Sequence, residues 1–109
     1  LPTHEKQLKM NRFQEVIGGD QPVLVDFFAE WCGPCKVMAP ELKKLVDRMG
    51  GRVRVLKVDV DRNPEAAAHY GIQGVPTLIL FRQGRQLWRQ SGAMTAVQLE
   101  QVVAAHTGQ

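Results

Sequence analysis

The chain has 109 residues and only two cysteines, Cys32 and Cys35, which stand two residues apart in AEWCGPCKVMAP, the stretch from Ala29 to Pro40. Three kinds of chemistry suit such a pair: a structural bridge, half of a metal site, or a dithiol that exchanges electrons with other molecules. A bridge closing so short a loop stabilises the fold by less than about 2 kcal/mol in the loop-entropy picture, too little to justify the only disulfide of the protein. A closed zinc site needs four ligands, and none of His4, His69 and His106 lies at ligand spacing from the pair or from another histidine. The reactive dithiol gains support from position. Cys32 falls where an apolar strand gives way to a helix, and there the unpaired N–H groups of the first turn stabilise an anion such as a thiolate. Pro34 fits that first turn, where its missing N–H removes no helical bond, and it stiffens the loop the sulfurs close. Cys35, one turn inward at the start of a buried stripe, is the shielded member. The order assigns attack to Cys32 and resolution to Cys35.

The flanking elements must hold that pair. Val23–Ala29 (VLVDFFA) is apolar on both alternating faces, as in a central strand covered on both sides, with Asp26 as its one charge. From Cys35 onward Met38, Leu42, Leu45, Val46 and Met49 fall on one helical stripe, stopped by Gly50-Gly51 and kinked at Pro40. Val53–Val60 reads as a second strand, and strand, helix, strand implies a right-handed parallel crossover. A short helix over about Pro64–Tyr70, with Asn63 as its cap and Gly71 as its stop, leads to Thr77–Phe81 and Gln86–Gln90, two strands paired antiparallel across Gln83-Gly84. A last helix runs from about Thr95 to Ala105, with Val97 or Leu99, Val102 and Val103 inward. Upstream, Leu1 to about Asn11 reads as partly loose, with Asn11 capping a short helix that turns Phe13, Val16 and Ile17 inward.

Length allows one domain, residues 1–109, with one apolar core. Fourteen basic and eleven acidic residues give a net charge of +3. Arg82, Arg85 and Arg89 are spread through a strand-like region, the pattern of a solvated surface, so nucleic acid is not an expected partner. No apolar run approaches membrane-spanning length, and the first ten residues hold no signal-peptide core. The chain begins with Leu1 rather than Met, as a trimmed or processed chain would. The expected compartment is the cytoplasm, with an exported domain as the alternative.

DFFAEWCGPCK together with the later GVPT, in this order of elements, resembles the thioredoxin family, for which Cys-x-x-Cys beside a strand-helix-strand pattern is the general signature. The resemblance covers Pro22 to about Ala105. It implies an α/β fold with a central mixed sheet of four to five strands and helices on both faces. It also implies a monomeric thiol-disulfide oxidoreductase that reduces disulfide-containing proteins without a metal or bound cofactor. A thioredoxin reductase using flavin and NADPH, or a membrane electron donor, would recharge it.

By the same resemblance Cys32 is the nucleophile, Cys35 the resolving thiol, and Asp26 the buried acid that assists Cys35. Lys57 is its neighbour, unless it reaches outward to solvent or is claimed by Asp59. Pro76 matches a cis-proline facing the disulfide, and Trp31, Gly33, Pro34, Gly74, Val75 and Gly92 form an apolar rim for the substrate segment, although Trp31 also fits ordinary half-buried packing. Two departures stand out. Phe28 occupies a position where the family usually has tryptophan, and EKQLKMNRFQEV matches the family's first strand poorly, so that edge strand is expected to be short or absent. A binding module on the same fold and an oxidant or isomerase remain as rival readings.

Overall fold

The computed structural model describes residues 4–108, so Leu1–Thr3 of the segment read as loose lie outside the described residues. The elements run α1 (His4–Ile17), β1 (Val23–Phe28), α2 (Gly33–Met49), β2 (Arg54–Asp59), α3 (Pro64–His69), β3 (Thr77–Arg82), β4 (Arg85–Ser91) and α4 (Ala96–Thr107). They form a four-stranded sheet in the order β2-β1-β3-β4. β1 is parallel to β2 and antiparallel to β3, and β3 and β4 form a hairpin. Its turn places Gln83 at φ 54° and Gly84 at φ 78°, the two left-handed positions that a tight hairpin consistent with strand twist requires.

The continuous apolar run of β1 is explained by its place in the sheet. Alternate residues serve two cores: Leu24 joins Met38, Leu42, Leu45, Leu78, Leu80, Leu99 and Val103 under α2 and α4, while Val23, Val25 and Phe27 join Phe13, Ile17, Ile79 and Phe81 under α1 and α3. Fully burying a side chain such as Phe27 contributes about 2–3 kcal/mol, so this strand anchors both layers. Thr95 starts α4 with a capping box, its hydroxyl accepting the Gln98 N–H while the Gln98 side chain accepts the Thr95 N–H.

Several expectations are corrected. The segment from His4 is helical, and Asn11 lies inside α1, where its side-chain oxygen accepts a bond from Gln7 at 3.1 Å rather than capping a helix. Met10, Phe13 and Ile17 continue one stripe at spacings of three and four, which extends the helix upstream through polar residues on its outer face. The first edge strand, expected to be short or absent, is not among these corrections: no strand precedes β1 among the described residues, and β2 is an outer strand. The α2 stripe is narrower than expected, because Val46 is exposed, and α4 turns Leu99 and Val103 inward while Val97 faces out. Asn63 makes no side-chain cap on α3; its amide donates instead to the Asp59 carbonyl at 3.0 Å. Arg82 and Arg89 are not merely solvated: they donate to backbone carbonyls, Arg82 to Asp20 and Arg89 to Tyr70 and Gly71.

Candidate active site

Both cysteines sit where β1 hands over to α2. Ala29 ends the buried strand segment, the Cys32 N–H bonds the Ala29 carbonyl at 3.2 Å, and Cys32 occupies the cap position of α2 with extended backbone. Cys32 and Cys35 are joined as a disulfide with their Cα atoms 5.3 Å apart. The Cys32 Sγ accepts the backbone N–H of Cys35 at 3.2 Å, so it takes the place a capping serine or aspartate oxygen would take. A thiolate formed there meets an N–H donor and the positive end of a seventeen-residue helix, both of which favour the anion. In this disulfide form Cys32 is 4% exposed and Cys35 5%, so accessibility does not distinguish them. Surroundings do. Cys32 Sγ lies 3.6 Å from the Val75 carbonyl oxygen, facing the loop before β3, whereas Cys35 borders a pocket of about 340 Å³ shared with Phe28, Ala39 and Lys57.

Asp26 is fully buried, and neither carboxylate oxygen has a hydrogen-bond partner. Strand alternation puts it on the same sheet face as Leu24 and Phe28, the face that α2 covers. Burial raises its pKa from 3.8 to about 6, and the positive charge of Lys57, its register partner on β2, offsets part of that rise. Lys57 itself is exposed, with its amine 4.6 Å from the centre of the Phe28 ring. Of the alternatives for Lys57, the outward one describes its side chain, while the strand register keeps it beside Asp26. β2 has no outer neighbour, so the long side chain reaches solvent past the sheet edge. Asp59 does not compete for it: its Oδ1 accepts the N–H groups of Asp61 and Arg62 and fixes the turn after β2.

The segment opposite the disulfide is tied down from both ends. The Val75–Pro76 peptide bond is cis. The Thr77 hydroxyl donates to the Gly74 carbonyl at 2.6 Å and meets Ser91 Oγ at 2.9 Å, and the Gly92 N–H donates to the Pro76 carbonyl at 2.9 Å. Gly92 adopts φ 99°, open only to a residue without Cβ, so Pro76 and Gly92 form one unit. Around them Gly33, Pro34, Gly74 and Gly92 are exposed and Val75 is half-buried. Trp31 is 72% exposed, which excludes ordinary packing as its role. A shallow pocket of about 110 Å³ brings Trp31 together with Val60, Ile72, Gly74 and Val75.

One contributor escapes a reading of the sequence. The Trp31 indole N–H donates to Asp61 Oδ2 at 2.9 Å across thirty residues, fixing a ring that has little packing to hold it. The Asp-Val-Asp run at the end of β2 signals a turn, and nothing in it points to a tryptophan. Phe28, at the position the family usually fills with tryptophan, carries the Lys57 amine on its face. Among the described residues no group of three His, Cys, Asp or Glu side chains is placed to hold a metal ion, and no helix is long and apolar enough to cross a membrane.

Comparison with known proteins agrees with this geometry. A protein-family model described as Thioredoxin matches residues 4–105. Thioredoxin of Alicyclobacillus acidocaldarius is 48% identical over 92 residues, which cover 84% of this chain and 88% of that protein. Thioredoxin 1 of Chlorobaculum tepidum is 47% identical over 87 residues, 80% of this chain and 86% of that protein. Among solved structures, a mutant thioredoxin from Halobacterium salinarum superposes with a TM-score of 0.81 at 35% identity, covering 89% of this chain and 84% of its own. The thioredoxin of Malassezia sympodialis gives 0.80 at 37% identity, covering 88% and 84%. The extent of these matches, with a Cys-x-x-Cys disulfide at the mouth of α2, shows that the chain belongs to the thioredoxin family of thiol-disulfide oxidoreductases.

Proposed function

We propose that the chain works as a single domain and a monomer, and is a general reductant of protein disulfides in which Cys32 attacks and Cys35 resolves. The observation that carries the assignment is the Cys35 N–H held on Cys32 Sγ at the start of α2, which stabilises a thiolate at position 32 and offers no such support at position 35. The Cys32 thiolate attacks one sulfur of the target, the target's S–S bond breaks, and a mixed disulfide forms as the first target thiolate leaves. Cys35 then loses its proton and attacks Cys32 Sγ. The second target sulfur departs as a thiolate, and both target sulfurs take protons. Two electrons pass to the target, and the Cys32–Cys35 bond remains.

Asp26 serves as the proton acceptor for Cys35. A buried carboxyl with a pKa of about 6 and no hydrogen bonds of its own is mostly ionised at neutral pH, so it can take the Cys35 proton, and it releases that proton readily afterwards, as general acid-base work requires. Lys57 is a positioning residue whose charge keeps that pKa from rising further. The substrate segment lies extended across Gly33, Pro34, Trp31, Gly74 and Gly92. It pairs with the backbone of Val75, held in place through the Pro76 and Thr77 bonds. The rival binding module would need no second cysteine, and this chain keeps both.

The family as a whole acts on disulfide-containing proteins and is recharged by a reductase. We take the partner to be a flavin enzyme supplied by NADPH, and the compartment to be the cytoplasm, where thiols are kept reduced; a membrane donor would replace it for an exported domain. Equilibration with glutathione tests the direction of electron flow. The Cys32–Cys35 couple is expected at the reducing end of the thiol-disulfide series, the range already known for thioredoxins. A potential like that of strongly oxidising catalysts would reverse the assignment.

A further inference from the structure

β2 is hydrogen-bonded to β1 on one side only. At its ends the Arg54 N–H donates to the Pro22 carbonyl at 2.8 Å and the Val60 N–H to the Phe28 carbonyl at 2.9 Å. The two-residue repeat of a parallel ladder then aims the N–H and C=O groups of Val55 and Lys57 away from the sheet. No hydrogen bond to those four groups occurs among the described residues. Such an edge is a template for another strand.

Beside the edge, on the face that α1 covers, lies a groove of about 340 Å³. Phe13, Val16 and Leu56 give it an apolar floor, and Lys9, Arg12 and Arg62 stand around it; no acidic side chain lines it. Arg62 leans towards Glu30 at 3.5 Å and Asp59 at 3.7 Å, whereas Lys9 and Arg12 have no ion-pair partner among the described residues. Arg54, exposed on the same face of β2, adds a further positive charge. This charge decides what fits. Two copies of the chain paired edge to edge would bring these cations together, and facing like charges oppose strand pairing. A segment with carboxylates around a short apolar centre would meet complementary groups throughout.

We propose that the open edge of β2 is a docking surface, separate from the disulfide, that takes an extended acid-rich segment of a partner protein as an added strand. Main-chain bonds to Val55 and Lys57 supply pairing, apolar side chains of the segment cover Phe13, Val16 and Leu56, and its carboxylates meet Lys9, Arg12 and Arg54.

The probe is the cysteine-free peptide acetyl-Asp-Glu-Val-Thr-Val-Glu-Asp-amide, titrated into the 109-residue chain at low salt and followed by backbone-amide NMR and hydrogen exchange. At saturation the Val55 and Lys57 amides are expected to exchange at least about tenfold more slowly, because a paired edge amide opens only with its strand. The same peptide with lysine at all four acidic positions is expected to bind at least about tenfold more weakly. Val55→Pro removes one outward N–H without touching the ladder to β1, and should abolish binding while leaving insulin reduction unchanged. The double variant Lys9→Glu with Arg12→Glu, confined to the outer side of α1, should reverse the preference between the two peptides even if the proline variant folds poorly. Equal binding of both peptides overturns the proposal. So does an absence of protection at millimolar peptide. Protection of the same two amides by self-association of the chain without peptide would make a second copy the occupant and equally overturn it.

Discussion

Replacing Asp26 by asparagine tests the buried acid through stability as well as rate. The carboxyl is fully buried with neither oxygen bonded, and burial lifts its pKa from 3.8 to about 6 against the partial opposition of Lys57. The folded state therefore holds more protons than the unfolded chain between these values, so stability falls as pH rises: the favourable contribution is complete below 3.8 and gone above about 6. A gap of that size corresponds to about 3 kcal/mol. Asn cannot ionise and escapes this loss. Its own buried, unpaired amide costs about 1–3 kcal/mol at every pH, which cancels when the difference between the two proteins is compared at two pH values. Urea unfolding of both oxidised proteins at about pH 3.5 and about pH 7.5 gives the comparison. The stability of Asp26→Asn relative to wild type is expected to rise by about 2–3 kcal/mol from the lower to the higher pH. A difference that stays flat would show that Asp26 does not titrate as a desolvated acid, and the proton-transfer role would lose its physical basis.

Other perturbations bear on the rim, the direction of flow and the scaffold. Asp61→Ala releases the Trp31 indole and should lower kcat/KM for a protein disulfide by about threefold to tenfold, the scale of one lost hydrogen bond, with Asp61→Asn restoring most of it through its amide oxygen; unchanged kinetics in the alanine variant would make the contact incidental. Pro34→His places a group that can become cationic beside the dithiol, which should favour the reduced form and move the couple towards oxidant in a glutathione equilibrium. A potential unchanged by that substitution would contradict the account of why proline suits a reductant. Thr95→Ala removes the side-chain half of the α4 capping box and should cost about 1 kcal/mol in urea unfolding without altering turnover.

The parts of the molecule legible in the sequence are those where local pattern and tertiary position agree. β1 announces itself because a strand covered on both faces must be apolar at every position but one, and that exception, Asp26, is the residue with unusual electrostatics. The hairpin is legible because its turn needs two left-handed residues and Gln83-Gly84 supplies them. The upstream extent of α1 is not legible because its inward stripe is narrow and its first turns are polar. For Lys57 alternation gives the face and not whether its strand has an outer neighbour, so the choice between a place beside Asp26 and an outward reach is not legible in the sequence. The Trp31–Asp61 bond joins positions thirty residues apart, and only the packing of the β2 turn against the start of α2 brings them together.

The central claim is that the two cysteines have different jobs despite nearly equal cover in the disulfide form. Cys35→Ser and Cys32→Ser, each incubated with a protein disulfide and analysed by mass spectrometry under non-reducing conditions, test it directly. Neither should turn over. Cys35→Ser should accumulate a covalent mixed disulfide through Cys32, because attack proceeds and resolution is blocked, while Cys32→Ser should remain free. Equal trapping by both variants, or trapping only through Cys35, would contradict the assignment of nucleophile and resolving thiol.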